Sequence, residues 1–242
     1  MPLPKISTPT YELVLPSTGK TIKYRPFLVK EEKVLIIALE SQDTKQITNA
    51  IKQVLKECII TRGIKIEELP TFDIEYIFLN VRAKSIDEKI DLIVTCSDGE
   101  TQVPVTVFID EINVQKNPDH SKDIKLDQSL VLRMKYPSLD QFIKNNFDFS
   151  SDEQNVSNIE KSFDIISSCI ESVYTNDEAW SASDCTKKEL IAFIESMDSN
   201  QFKQIEKFFE TMPKLSHTVK VKNPNTGIDE EITLEGLTSF FG

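Results

Sequence analysis

Between residues 11 and 24 apolar and polar positions alternate on both sides of a Pro/Gly turn. Tyr11-Glu12-Leu13-Val14-Leu15 and Thr21-Ile22-Lys23-Tyr24 flank Pro16-Ser17-Thr18-Gly19-Lys20. A period of two across such a turn predicts a β-hairpin. Arg25-Pro26-Phe27 ends it, because proline cannot donate to a central ladder. From about Lys30 the period becomes helical, with Glu31 and Glu32 in a first turn where they favour the helix dipole. Ile47, Ile51, Val54, Leu55 and Cys58 recur at helical spacing and predict a second helix over about 44–60, with Gly63 beyond it. A third should run from Thr71, as its cap, to about Lys84, with Phe72, Tyr76, Leu79 and Ala83 on one side.

Alternation returns at 89–95 and 102–109, around Ser97-Asp98-Gly99, a strong hairpin signal; Pro104 points to an edge position. Extended pieces are expected at 123–126 and 130–135, then a short helix from Pro137-Ser138 to about Asn145. Residues 146–158 are polar and loop-like. Ile159, Phe163, Ile166, Ile170 and Val173 then form a narrow stripe that predicts one continuous helix. Thr186-Lys187-Lys188-Glu189 is a capping-box pattern opening another. Asp198 or Ser199 caps the next, whose Phe202, Ile205, Phe208 and Phe209 face one way before Pro213. A third hairpin signal, 218–221 and 231–234 around Asn223-Pro224-Asn225-Thr226-Gly227, leads into an apolar tail. The expected class is α+β. It divides into an α+β domain over 1–145, a helical module over 146–212, and a C-terminal hairpin and tail over 213–242 that packs back on the rest.

Composition supports a folded chain: 242 residues, 39% hydrophobic and 28% charged. No apolar run approaches the roughly 18 residues a membrane helix needs. The first residues lack the basic and then apolar pattern of a signal peptide, so a cytoplasmic location is expected. Cys58, Cys96, Cys169 and Cys185 are widely spaced and read as reduced, buried thiols. The net charge of −11 is uneven: residues 146–212 hold 14 acids against 5 bases. That balance argues against nucleic acid. It leaves two readings of the acidic module, a solvated face or a surface that steers a basic partner through residues such as Asp152, Glu153, Asp177 and Glu178.

Little in the sequence points to catalysis. Six scattered glycines build neither a phosphate loop nor a dinucleotide fingerprint. His120 and His217 sit in polar surroundings and read as surface residues without a nucleophile motif. Carboxylates are so plentiful that no pair stands out. The turns near 97 and 225 resemble the knuckles of a zinc ribbon, yet the first offers only Cys96 and the second has Asn223 and Asn225 where thiolates would be needed. No metal, cofactor or catalytic residue is expected. Arg25 and Phe27, at a strand-to-helix junction, are residue types that make interface hot spots. Phe240 and Phe241 would serve either as a partner anchor or as a core plug.

Four stretches resemble a tail-protein family of T-even-like contractile phages, the baseplate hub subunit and hub-assembly proteins of the gene product twenty-six type, including cyanophage relatives. They are 18–35 (TGKTIKYRPFLVKEEKVL), 72–82 (FDIEYIFLNVR), 132–137 (LRMKYP) and 234–241 (LEGLTSFF). The resemblance implies a non-enzymatic protein that forms or builds the central hub of a baseplate through contacts with other hub or tail proteins. Its place would be the host cytoplasm during assembly, and the virion if it stays as a subunit. Some relatives of this type keep Cys-x-x-Cys at the C-terminal hairpin, where this chain has Asn223-Pro224-Asn225-Thr226. The rival readings are a small hydrolase using scattered carboxylates and a bacterial adaptor protein.

Overall fold

The first hairpin forms where alternation places it. β1 (Tyr11–Val14) and β2 (Thr21–Tyr24) pair antiparallel with Leu13 opposite Ile22, both buried. Gly19 closes the turn at φ 71°, a left-handed backbone that a side chain would strain. The turn is tied to the rest of the fold by Ser17, whose N–H donates to Asp73 Oδ1 at 3.0 Å and whose hydroxyl donates to Oδ2. The computed structural model of the chain describes residues 6–41, 43–139 and 158–240. The expected helix through Asn145 and most of the 146–158 loop lie outside them.

Three helices follow: α1 (Val29–Glu40), α2 (Thr44–Cys58) and α3 (Thr71–Ser85). α2 buries the stripe Ile47, Ile51, Val54, Leu55 and Cys58. α3 departs from expectation. Pro70 rather than Thr71 is its cap residue, and Phe72, Ile74, Ile77, Leu79, Val81 and Ala83 are all buried. Its buried positions, Asp73 and Glu75 included, lie on more than one side, so α3 is packed among other elements rather than lying on the surface by one face. β3 (Lys89–Thr95) and β4 (Gln102–Phe108) form the second hairpin, a two-stranded ladder with Pro104 opposite Ile93.

After β5 (Asn113–Gln115) the chain leaves this core and builds another. β6 (Asp123–Lys125), β7 (Val131–Met134), β8 (Ile170–Tyr174) and β9 (Ala179–Ser181) make a four-stranded antiparallel sheet in that order. α4 (Asn158–Ser168), α5 (Lys187–Glu195) and α6 (Ser199–Thr211) pack with it. The single helix expected from the stripe 159–173 is therefore corrected. It stops at Ser168, and Ile170–Tyr174 becomes a strand whose ladders with β7 and β9 satisfy its backbone on both sides. A short run of β-branched residues fits either period, and only the neighbours decide. α5 starts as expected, on the capping box Thr186/Glu189, and α6 takes Asp198 of the two expected cap candidates, in a box with Gln201.

The second core takes Ile124, Leu126, Leu132 and Met134 as well as Ile166, Ile170, Ile194, Ile205 and Phe208, so it reaches back past residue 146. β10 (Lys214–Lys222) then returns to the first core and pairs with β5 on one side and β11 (Asp229–Glu235) on the other. The two cores meet at Tyr136. Its ring packs edge-on against Phe72 of α3 at 5.0 Å and stacks on Phe208 of α6 at 5.9 Å. The Thr71 N–H donates to the Pro137 carbonyl at 3.1 Å beside it.

Candidate functional site

His217 lies on β10 with Glu111 3.9 Å away. His120 is not the surface residue its polar neighbours suggested. Its ring packs against both Tyr136 and Phe208, and Nδ1 meets Thr211 Oγ1 at 3.0 Å. Burial and the nearby Lys122 hold its pKa below the usual imidazole range, so it packs as a neutral aromatic. No group of His, Cys, Asp or Glu among the described residues has the arrangement of a metal site. Cys58, Cys96 and Cys169 are buried free thiols, while Cys185 is only half-buried.

The two knuckle-like turns do meet, although sequence spacing does not show it. Asn223 Nδ2 donates to Asp98 Oδ2 at 2.9 Å and to Glu230 Oε1 at 3.2 Å. Asn225 Nδ2 donates to Thr101 Oγ1 at 2.8 Å, and the Ser97 N–H donates to Glu230 Oε2 at 2.7 Å. Hydrogen bonds from Thr101, Asn223 and Glu100 hold the Asp98 carboxyl well below the usual range. Asn223 is almost wholly buried, and this hydrogen-bonded lattice clasps the two hairpin tips together.

The surface least explained by the protein's own packing is α1. Residues 34–39 (VLIIAL) form an unbroken apolar run, more than one helix face can bury. Ala38 faces the core, whereas Val29 is 79% exposed, Ile37 52% and Ile36 49%, with Leu39 also exposed. Ile86, after α3, adds another exposed apolar side chain. Between α1, α2 and α3 runs a groove of about 230 Å³ lined by Phe27, Leu35, Ile36, Leu39, Phe78 and Ile86, among others, with Glu32 and Arg82 as its charged members. Exposed apolar side chains on a helix that borders an apolar groove make α1 the candidate interaction surface.

The entry to α1 is rigidly set. Leu28, at the cap position, has no side-chain acceptor to offer. Glu31 reaches back instead and accepts from the Leu28 N–H at 2.7 Å. Arg25 Nη2 donates to Glu31 Oε1 at 2.9 Å, and Arg25 Nη1 to the Pro26 carbonyl at 2.9 Å. The Phe27 N–H donates to Ser85 Oγ at 3.0 Å. Arg25 thus braces the junction and Phe27 lines the groove it opens.

The other sequence candidates are dispersed. Asp177 and Glu178 lie in the turn between β8 and β9, with the Thr175 N–H donating to the Glu178 carbonyl at 2.8 Å. Phe240 is completely buried in the first core, in a short 3-10 turn. Asp152, Glu153 and Phe241 lie outside the described residues. The exposed residues Val29, Ile36, Ile37 and Ile86 were missed, and the signal was the apolar run 34–39, too long for a one-sided helix.

Comparison with known proteins adds one finding. A family model described as T4 bacteriophage base plate protein matches residues 8–242. No curated protein and no solved structure matches the chain.

Proposed function

The chain belongs to the T4 bacteriophage base plate protein family, and from that premise we propose that it builds the central hub of the baseplate, as hub subunit or hub-assembly chaperone, by seating another tail protein on α1. A baseplate protein of a T4-like phage has a structural role and works by contact. The observation that carries the finer reading is the exposed row Val29, Ile36, Ile37 and Ile86 beside the apolar groove. Arg25 and Glu31 support it by fixing the angle at which α1 leaves the hairpin. Burying a few such side chains stabilises a complex by about 1.5–3 kcal/mol each before the costs of association.

Co-expression with neighbouring tail genes followed by pull-down tests this. The native chain should capture a tail protein, and the double variant I36D/I37D should lose it while keeping its circular dichroism. Capture undiminished by I36D/I37D would show that α1 is not the docking surface. Mass spectrometry of purified virions separates the two roles: a subunit is present in stoichiometric amount and a chaperone is missing.

A further inference from the structure

A second groove lies on the other core. α4 and α6 splay to leave an open trough of about 630 Å³, floored by Phe163, Ile165, Ile166, Phe202 and Phe209. Phe163 and Phe202 stack at 5.8 Å across it. Among the described residues its charged lining members are Glu206 and Glu210, both exposed. Lys203 and Lys207 of the same helix lie outside the lining. Among the described residues the groove therefore combines an aromatic floor with an acidic edge, on a module whose residues 146–212 carry 14 acids and 5 bases.

We propose that this groove binds a basic amphipathic helix of another baseplate protein, its apolar face on the phenylalanines and its Lys or Arg residues against Glu206 and Glu210. The proposal rests on the reading of the chain as a contact-forming hub protein, but uses a different face from α1. The physical case has two parts. Aromatic floors take up aliphatic and aromatic side chains from helices laid into grooves, at i, i+3, i+4 and i+7. Acids at the edge select the flanking charge: a basic helix gains from them and an acidic one is repelled. The remaining acids of the module, Asp177 and Glu178 among them, act at longer range and speed encounter without touching the bound helix.

The probe is a labelled helical peptide of about five turns, built from Leu, Phe and Lys with one apolar face, and its counterpart with Glu for every Lys. Binding to the full chain is followed by anisotropy and by stopped-flow. The basic peptide should bind at least about tenfold more tightly than the acidic one. E206K/E210K, two exposed substitutions that leave the core intact, should accelerate its dissociation about tenfold. D177K/E178K, with the same change in net charge, should slow association only, and raised salt should mimic that effect. Equal affinity for both peptides, or equal behaviour of the two charge-reversed variants, would overturn the proposal and leave the acids as a solvated face. A gain of about tenfold on deleting residues 140–157 would assign the groove to that segment of the chain itself. A dimer in sedimentation equilibrium that E206K/E210K dissolves would assign it to a second copy. I36D/I37D should bind the basic peptide normally, so failure of the α1 reading is distinguishable from failure here.

Discussion

Replacing Glu31 by Gln tests how the junction that aims α1 is held. The Glu31 side chain is 5% exposed and accepts from Arg25 at 2.9 Å, from the Leu28 N–H at 2.7 Å and from Lys30 at 3.1 Å. Burial pushes its pKa up, but the hydrogen bonds from Arg25, Leu28 and Lys30 outweigh burial and bring it from 4.5 down to about 2. A carboxyl with a lowered folded value stabilises the fold fully above its unfolded pKa, and that stability is lost as pH falls through about 2. The gap corresponds to about 3 kcal/mol at neutral pH, at about 1.4 kcal/mol per pH unit. Gln has the shape of the protonated carboxyl and leaves Arg25, whose side chain is only 15% exposed, without its counter-charge. E31Q should therefore lose about 3 kcal/mol near pH 7 and less than about 1 kcal/mol near pH 2. For a chain of this length the neutral-pH loss lowers Tm by about 6–12 °C. Urea unfolding followed by far-UV circular dichroism at both pH values measures the difference. A penalty that is the same at the two pH values, or no penalty at neutral pH, would refute the electrostatic account of the junction.

Four further outcomes are expected. N223A should cost about 2 kcal/mol, because it removes one hydrogen bond each from Asp98 and Glu230 and takes the acceptor from the Asn225 and Thr226 N–H groups, whereas EDTA should leave Tm unchanged; denaturant melts with and without chelator check both. Y136A should remove the ring shared by Phe72 and Phe208, costing about 3 kcal/mol and separating the fluorescence transition of Trp180, on β9, from the circular-dichroism transition of the whole chain. Among the thiols, burial pushes Cys58 and Cys169 up to about 11, so a maleimide should label half-buried Cys185 in the native protein and reach the other three only after unfolding.

Local chemistry was enough to read much of this protein from its residues. Alternation around Gly19, Ser97-Asp98-Gly99 and Gly227 specified three hairpins, because turn residues and a period of two act within a dozen positions. The capping boxes at Thr186 and Asp198 likewise set the starts of two helices. The α+β class followed from the same short windows, whereas the four family-like stretches rest on resemblance to known proteins and not on local chemistry. Three features were decided only by tertiary structure. Ile170–Tyr174 is a strand because β7 and β9 flank it, although its spacing extends a helical stripe. His120 joins an aromatic cluster because Tyr136 and Phe208 reach it from positions 16 and 88 residues away in sequence. The exposed face of α1 could not be told from a core helix by composition: Ala38 and Ile37 are adjacent members of one apolar run, and only the placement of α2 and α3 leaves Ile37 in solvent. Periodicity reports which residues can share a face, whereas the partner of that face is fixed by contacts between segments far apart in the chain.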